Sequence, residues 1–392
     1  MKIKTFNKIS PKGLGLFGDK YDISPDHTDP AAIVVRSAKV NTDEFDGVLA
    51  VGRAGAGYNN VSVDAASEKG VCVFNTPGAN ANAVCELVLF SLGLAARNIN
   101  EAINYADTLK DMTDDAELNK LVEGNKSNFK GFELAGKTMA VIGLGKIGVT
   151  VANSSQALGM KVIGYEPFPN MANIHALHQD VQFSDELSSV IAEADFVSIH
   201  VPLLDATKGL FNRETISKMK DGAILLNFSR GPVVDTDDVV AALDADKLAL
   251  YINDFPSNKL LNHDKAICTP HLGASSNEAE ENCATMVVAQ LKDYLEYGIV
   301  KNSVNFPAVS GKPAGNVKSR IVVINKDVPH MIADITKVIG DAGQNILSFK
   351  NESNGKIGYN VIDLEAEVEA ALIEQLEGLG EQIIKVRLLR YY

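Results

Sequence analysis

The sequence is short of positive charge. Its 392 residues hold 37 Lys and Arg against 50 Asp and Glu, a formal net charge of −13. A nucleic-acid surface needs clustered basic side chains, so that class of partner is excluded. Cysteine is scarce too. Cys72, Cys85, Cys268 and Cys283 form no CxxC pair and show no metal-ligand spacing with histidine. That excludes a disulfide scaffold and a bound metal, and it suits reduced thiols in a cytoplasmic protein. Long hydrophobic runs are missing. The greasiest stretch, "AVCELVLFSLGLAA", contains Glu86 and is too short to span a bilayer. The start, "MKIKTFNKISPKGLGLF", lacks the apolar core of a signal peptide. No membrane partner is expected.

What is present is an alternation. The length suggests two or three domains. "AIVVRS", "GVLAVGRAG" and "GVCVFNTPG" read as short strands, followed by one long helical pattern from about Asn82 to Leu121. Six strands alternate with helices in the middle of the chain: 138–143, 161–167, 195–203, 223–229, 248–254 and 266–271. That pattern predicts an α/β fold with a doubly wound parallel sheet. "SNEAEENCATMVVAQLKDYLEYG" reads as a helix that leaves the sheet, and the Pro- and Gly-rich 306–316 as a linker. The tail reads β-α-β-β-α-β around an Asn354-Gly355 turn, a ferredoxin-like unit of its own.

"VIGLGKIG" places Gly143, Gly145 and Gly148 in G-x-G-x-x-G spacing, after a strand and at the start of a helix opened by Lys146 and Ile147. The spacing suits a tight turn, backbone approach to a pyrophosphate, and close packing of helix on strand. Glu166 ends the next strand, where an acid accepts hydrogen bonds from a ribose 2′-hydroxyl and repels a 2′-phosphate. The predicted cofactor is therefore NAD rather than NADP. Arg230 and His271 follow strands, where open α/β sheets place their chemistry. Arg230 can fork a carboxylate, and His271 can exchange a hydroxyl proton; a solvated arginine and a structural histidine are the alternatives. Arg36 and Arg53, with the small-residue loop Gly55, Ala56 and Gly57, suit an anion pocket; ordinary ion pairs are the alternative.

These stretches resemble the D-2-hydroxyacid dehydrogenase family, in particular its members with a C-terminal ACT domain. The resemblance rests on "VVRSAKV", "VGRAGAGYNNV", "FNTPGANANAVCEL", "FELAGKTMAVIGLGKIG", "GYEP", "HVPLLDATKGLFN", "NFSRGPVVD" and "TPHLGAS", in the family's order from Val34 to Ser275. It implies a flavodoxin-like substrate domain (1–95 plus 282–308), a Rossmann-type NAD domain (96–281) and an ACT-like regulatory domain (317–392). It implies oxidation of a phosphorylated 2-hydroxy acid, 3-phospho-D-glycerate, by a homodimer or homotetramer. Arg230 would bind and polarise the substrate, and His271 would be the acid/base. Arg36, Arg53 and Asn75 would contact substrate with the Gly55–Gly57 backbone. Thr76, Pro202, Thr207, Ser229, Asp254 and Gly273 would line the NAD site, Asp254 holding the nicotinamide amide.

The sequence departs from the family in two places. The family pairs its histidine with a glutamate in a D-V-F-x-x-E-P segment. Here the text is "NDFPSNKLL", with Ser257 or Asn258 where the acid would be, which predicts a shifted pH–rate profile. Serine-sensing ACT domains carry His-x-Asn before Pro-Gly. Here Asn325, Asp327 and Asn345 are the matching positions for L-serine as effector, with the pattern partly kept. A glyoxylate or hydroxypyruvate reductase is the same-class alternative, and a dinucleotide-sensing scaffold without turnover the different-class one.

Overall fold

The structure is a computed structural model that describes residues 1–391. It forms two compact units, residues 1–79 with those from 277 on, and residues 80–276.

The first unit opens with five short strands: β1 (Lys2–Phe6), β2 (Asp22–Ser24), β3 (Ala32–Val35), β4 (Ala50–Arg53) and β5 (Cys72–Phe74). All pair parallel in the order β2-β1-β3-β4-β5, the flavodoxin-like arrangement that the resemblance implied. β3 is buried along its whole length, as a parallel strand covered on both faces must be. Helices α1 (Pro11–Leu14) and α2 (Val63–Glu68) accompany these strands.

The second unit begins with helices, where the single helix expected from Asn82 to Leu121 is three: α3 (Ala81–Ala96), α4 (Ile99–Asp107) and α5 (Asp115–Asn125). Asn98 adopts a left-handed conformation (φ 48°), which ends the first helix, and Asp114 caps the third through its side chain. Helical periodicity carries across both breaks, so the pattern alone did not reveal them. The apolar face of α3 (Val84, Val88, Leu92) packs with Met139 and Val141 of the second sheet. The unit boundary therefore falls near residue 79, and near 277 on the return, rather than at 95 and 282.

The second sheet contains β6 (Thr138–Ile142), β7 (Lys161–Tyr165), β8 (Gln182–Ser184), β9 (Phe196–Ile199), β10 (Ala223–Asn227), β11 (Leu248–Asn253) and β12 (Ala266–Cys268). All are parallel in the order β12-β11-β10-β9-β6-β7-β8, the Rossmann order with one added strand at the far edge. Sequence reading found all but the three-residue β8. Helices α6 (Lys146–Ala157), α7 (Met171–Ile174), α8 (Leu187–Ala192), α9 (Arg213–Ser217), α10 (Thr236–Asp244) and α11 (Asn258–Leu261) lie between the strands. Alternate residues of β6 feed different cores: Met139 and Val141 one, Ala140 and Ile142 the other. That is the two-sided burial of a doubly wound sheet.

The chain returns to the first unit through α12 (Asn277–Tyr297), which packs so closely on β4 that a Cβ on Gly52 would meet Val287 at 2.5 Å. The tail is β13 (Ser319–Lys326), α13 (Met331–Asp341), β14 (Ile346–Ser353), β15 (Ile357–Leu364), α14 (Ala370–Glu377) and β16 (Ile383–Arg390). Its antiparallel order, β14-β15-β13-β16, is ferredoxin-like, as the sequence predicted.

The tail has the separate antiparallel sheet and core that the sequence predicts, but the other face of its sheet is packed and the expected linker is not loose. Ile321 and Val323 face α13 and α14, but Val322, Ile324, Tyr359 and Val361 join a core with Phe74, Tyr294 and Leu291. Arg320 donates to the carbonyls of Tyr297 and Gly311, Arg387 to those of Tyr294 and Leu295, and the Tyr359 hydroxyl to that of Gly298. Residues 306–316 are pinned as well, through a Val300–Val309 bridge and Lys350 on the Ser310 carbonyl. Proline and glycine there mark a change of direction, not slack.

No single helix among the described residues is long and apolar enough to cross a membrane.

Candidate active site

Register places the second unit's candidate residues. Ser184, Tyr165, Ile142, Ile199, Asn227, Asn253 and Cys268 lie in one row across the seven strands. The next positions are Glu166, Gly143, His200, Phe228, Asp254 and Thr269, so the motifs found separately in the sequence emerge along one carboxyl edge. Arg230 follows β10 and His271 follows β12, with β11 between them along that edge.

The glycine turn is built for a phosphate-bearing ligand. Gly143 has φ 95°, open to glycine at little cost. A Cβ on Gly148 would lie 1.9 Å from the Gly143 carbonyl oxygen, so helix α6 approaches its strand as only glycine allows. A Cβ on Gly145 would meet nothing within 4 Å, leaving open space before the α6 N-terminus. Lys146 and Ile147 begin that helix, whose first N–H groups have no intrahelical acceptor. Glu166 accepts from the Leu144 N–H at 2.9 Å and from the Phe168 N–H at 3.1 Å, which fixes its carboxylate beside the turn. Turn, open space and acid fit a dinucleotide. Gly148→Ala should therefore lower NADH affinity at least about tenfold, since the glycine turn must open to admit the methyl; fluorescence titration checks it.

At the end of β10, buried Asn227 makes the turn. Its Oδ1 accepts from the Ser229 N–H and hydroxyl, and its Nδ2 donates to the Arg230 carbonyl. Asn253 does the same at the end of β11, accepting from the Phe255 N–H. Sequence reading missed both. Their signal was an asparagine closing a β-run two residues before the next turn residue, the Asx pattern. Arg230 is half-buried; Nη1 donates to the Ser229 carbonyl at 2.6 Å, and burial lowers the guanidinium pKa from its ordinary value. It stays charged, poorly hydrated and ready for an anion.

The strand expected over 266–271 stops at Cys268, and His271 lies in a tight turn with φ 58°. Its N–H donates to the carbonyls of Asp254 (3.1 Å) and Thr269 (3.0 Å), and its ring packs on Phe255 with centroids 5.1 Å apart. Among the described residues no carboxylate meets the imidazole. Ser257 caps α11 and Asn258 is exposed at its first position; neither bonds to His271. Gly273 donates its N–H to Asp254. Pro202 and Thr207 share a loop after β9, where the Thr207 hydroxyl donates to the Pro202 carbonyl at 2.6 Å.

His200, also at this edge, is held by burial near a pKa of about 3 and shares a 2.8 Å hydrogen bond with the Ser198 hydroxyl. An unfolded histidine protonates below about 6.5, so the unfolded state binds the extra proton as pH falls. Its contribution to stability is full above about pH 6.5 and declines as pH falls toward 3. Unfolding free energy should drop by up to about 2 kcal/mol between pH 6.5 and 5, and His200→Gln should flatten that slope in urea titrations.

The first unit gathers a second set. Arg36 follows β3, Arg53 ends β4 and Asn75 follows β5, again at a carboxyl edge. Gly55 has φ 147°, and a Cβ there would lie 1.5 Å from the Arg53 guanidinium, so only glycine lets that side chain fold over the loop. Asn75 donates to the Ala56 carbonyl at 2.6 Å. Gly57, next in the loop, is partly buried. Thr76, expected near NAD, is buried within this unit and donates its N–H to the Gly55 carbonyl. Helix α12 supplies two neighbours that sequence reading missed. Glu280 pairs with Arg36 at 2.6 Å, and the Cys283 thiol, pushed up by burial, lies near Arg53, Arg36 and Glu280. The acids of "SNEAEENC" stand in the sequence, but their distance from Arg36 hid the pairing.

In the tail, Asn325, Asp327, His330 and Asn351 line a cavity of ≈ 440 Å³. Asn345 is exposed and is not among its lining residues.

A Rossmann-ordered sheet with a glycine turn and an acid at the second strand end defines a dinucleotide-binding enzyme class. Residues 100–273 match the family described as D-isomer specific 2-hydroxyacid dehydrogenase, NAD binding domain. The chain belongs to the D-isomer specific 2-hydroxyacid dehydrogenase family. It is 36% identical over 348 residues to D-3-phosphoglycerate dehydrogenase 2, chloroplastic, of Arabidopsis thaliana, covering 83% of this chain and 53% of that protein. It is 33% identical over 358 residues to D-3-phosphoglycerate dehydrogenase of Haemophilus influenzae, covering 87% of this chain and 81% of that one. The chain thus spans about half the length of the plant relative and most of the bacterial one. NAD+-bound 3-phosphoglycerate dehydrogenase of Entamoeba histolytica superposes with TM-score 0.62 at 25% identity, over 78% of this chain and 98% of that one.

Proposed function

We propose that the chain catalyses NAD-linked oxidation of 3-phospho-D-glycerate to 3-phosphohydroxypyruvate, the first step of phosphorylated L-serine biosynthesis, in the cytoplasm. The observation that carries this reading is Arg230 and His271 on one carboxyl edge with the glycine turn, two strands apart. NAD, which the glycine turn and Glu166 would hold, would supply the hydride acceptor. His271 takes the proton of the C2 hydroxyl and returns it in reduction. Arg230 holds the carboxylate in a fork and stabilises charge developing on the C2 oxygen. Arg36 and Arg53, with Asn75 and the Gly55–Gly57 backbone, receive the phosphate, which is why a phosphorylated substrate is favoured over glyoxylate or hydroxypyruvate.

Absorbance at 340 nm with NADH and 3-phosphohydroxypyruvate tests the reading. Turnover with kcat/KM at least about tenfold above that for hydroxypyruvate is expected, tenfold being 1.4 kcal/mol of preference for the phosphate. No turnover with any 2-oxo acid would favour a dinucleotide sensor instead.

The same proposal includes a homodimer or homotetramer and L-serine as effector at the tail cavity. Asn325 and Asp327 among the lining residues support the effector, and the exposed Asn345 does not. Equilibrium dialysis of L-serine against the full chain and its Asp327→Ala variant tests it. Retention by the first and loss by the second is expected.

A further inference from the structure

Asp254 is 1% exposed, and both oxygens of its carboxylate are hydrogen-bonded. Oδ1 accepts from the Thr269 hydroxyl at 2.6 Å and the Leu272 N–H at 2.7 Å, and Oδ2 from the Gly273 N–H at 2.7 Å. The Asp254 carbonyl accepts from the His271 N–H itself. Every one of these donors lies within two residues of His271. The next side chain along, Phe255, packs on the imidazole. One strand end thus holds the histidine's backbone from within and its ring from the side.

His271 needs such a hold. A non-glycine residue at φ 58° persists only where its surroundings fix it, and this loop has no carboxylate aimed at the ring. We propose that Asp254 is a positioning residue for His271: it closes the left-handed turn that presents the imidazole, rather than binding the nicotinamide amide. This rests on the reading of His271 as proton acceptor. An amide in place of the carboxylate would turn an NH2 toward an N–H, opening the turn on one side. A shift of about 1 Å in a reacting group can lower turnover about a hundredfold.

The test compares Asp254→Asn, Thr269→Val and Thr269→Ser in the full chain, with His271→Ala in parallel. NADH Kd, kcat, KM and the solvent deuterium isotope effect on kcat are measured. Asp254→Asn should lower kcat about a hundredfold and raise the isotope effect, because proton transfer becomes slower, while NADH Kd stays within about threefold. Thr269→Val should lose kcat in the same way, and Thr269→Ser, which keeps the hydroxyl, should recover most of it. If Asp254→Asn weakens NADH about tenfold and leaves kcat at saturation unchanged, Asp254 is a cofactor ligand and the proposal falls. It falls equally if kcat in both Asp254→Asn and Thr269→Val is unchanged while His271→Ala is inactive. Should Asp254→Asn not fold, the Thr269 pair decides alone: an unchanged Thr269→Val overturns the proposal. Full activity in His271→Ala would overturn the reading of His271, and this proposal with it.

Discussion

His271→Ala lowers kcat by about 10²–10⁴-fold, the range for losing a positioned general base, and leaves NADH Kd within about threefold. The two effects separate because His271 follows β12, four strands away from the glycine turn at β6. KM for the hydroxy acid changes little if Arg230 carries ground-state binding. Steady-state kinetics in both directions, with NADH fluorescence titration, measures all three. An unchanged kcat would reject His271 as the proton acceptor.

The second large effect falls on stability. Arg320 is 1% exposed and meets Asp363 through two parallel bonds, Nε to Oδ1 at 2.6 Å and Nη2 to Oδ2 at 2.9 Å. The pair joins adjacent residues of β13 and β15. Asp363→Ala leaves a guanidinium buried with only carbonyl acceptors, which should destabilise the fold by about 3–5 kcal/mol. Replacing both partners, Arg320→Met with Asp363→Leu, should recover part of the loss. Recovery is incomplete because the carbonyls of Tyr297 and Gly311 then lose their donor. Urea unfolding followed by far-UV circular dichroism measures the series. A loss below about 1 kcal/mol in Asp363→Ala would show the pair to be poorly desolvated.

The second sheet and β3, β4 and β5 of the first were legible because parallel strands buried on two faces are continuous apolar runs, and the glycine spacing marks where a helix meets a strand; β1 and β2, short and partly exposed, were not read. The residues at strand ends were legible for the same reason: runs end where chemistry begins. What escaped was contact across long sequence distance. Glu280 reaches Arg36 from a helix more than two hundred residues away, and no local pattern announces such a pair. The helix breaks at Asn98 and before Asp114 escaped because polar residues fit a helical period on an exposed face; α4 and α5 bury none of their residues. Asn227 and Asn253 read as strand ends but not as builders of the turns that follow. The loop around Asn258 shows no acid in its text, and nothing local in it announces the buried carboxylate at Asp254 that organises the same turn from behind.

The shared core of the tail and the first unit bears on inheritance. A lobe joined by a loose tether can be exchanged between genes with little consequence. Here the C-terminal end of α12 is capped by Arg320, Arg387 and Tyr359 of the tail. A replacement lobe of the same topology would have to bring those three side chains, or a descendant would carry bare helix carbonyls and an uncovered sheet. The tail and the helix it caps are therefore one heritable piece, whatever ligand the tail has come to hold.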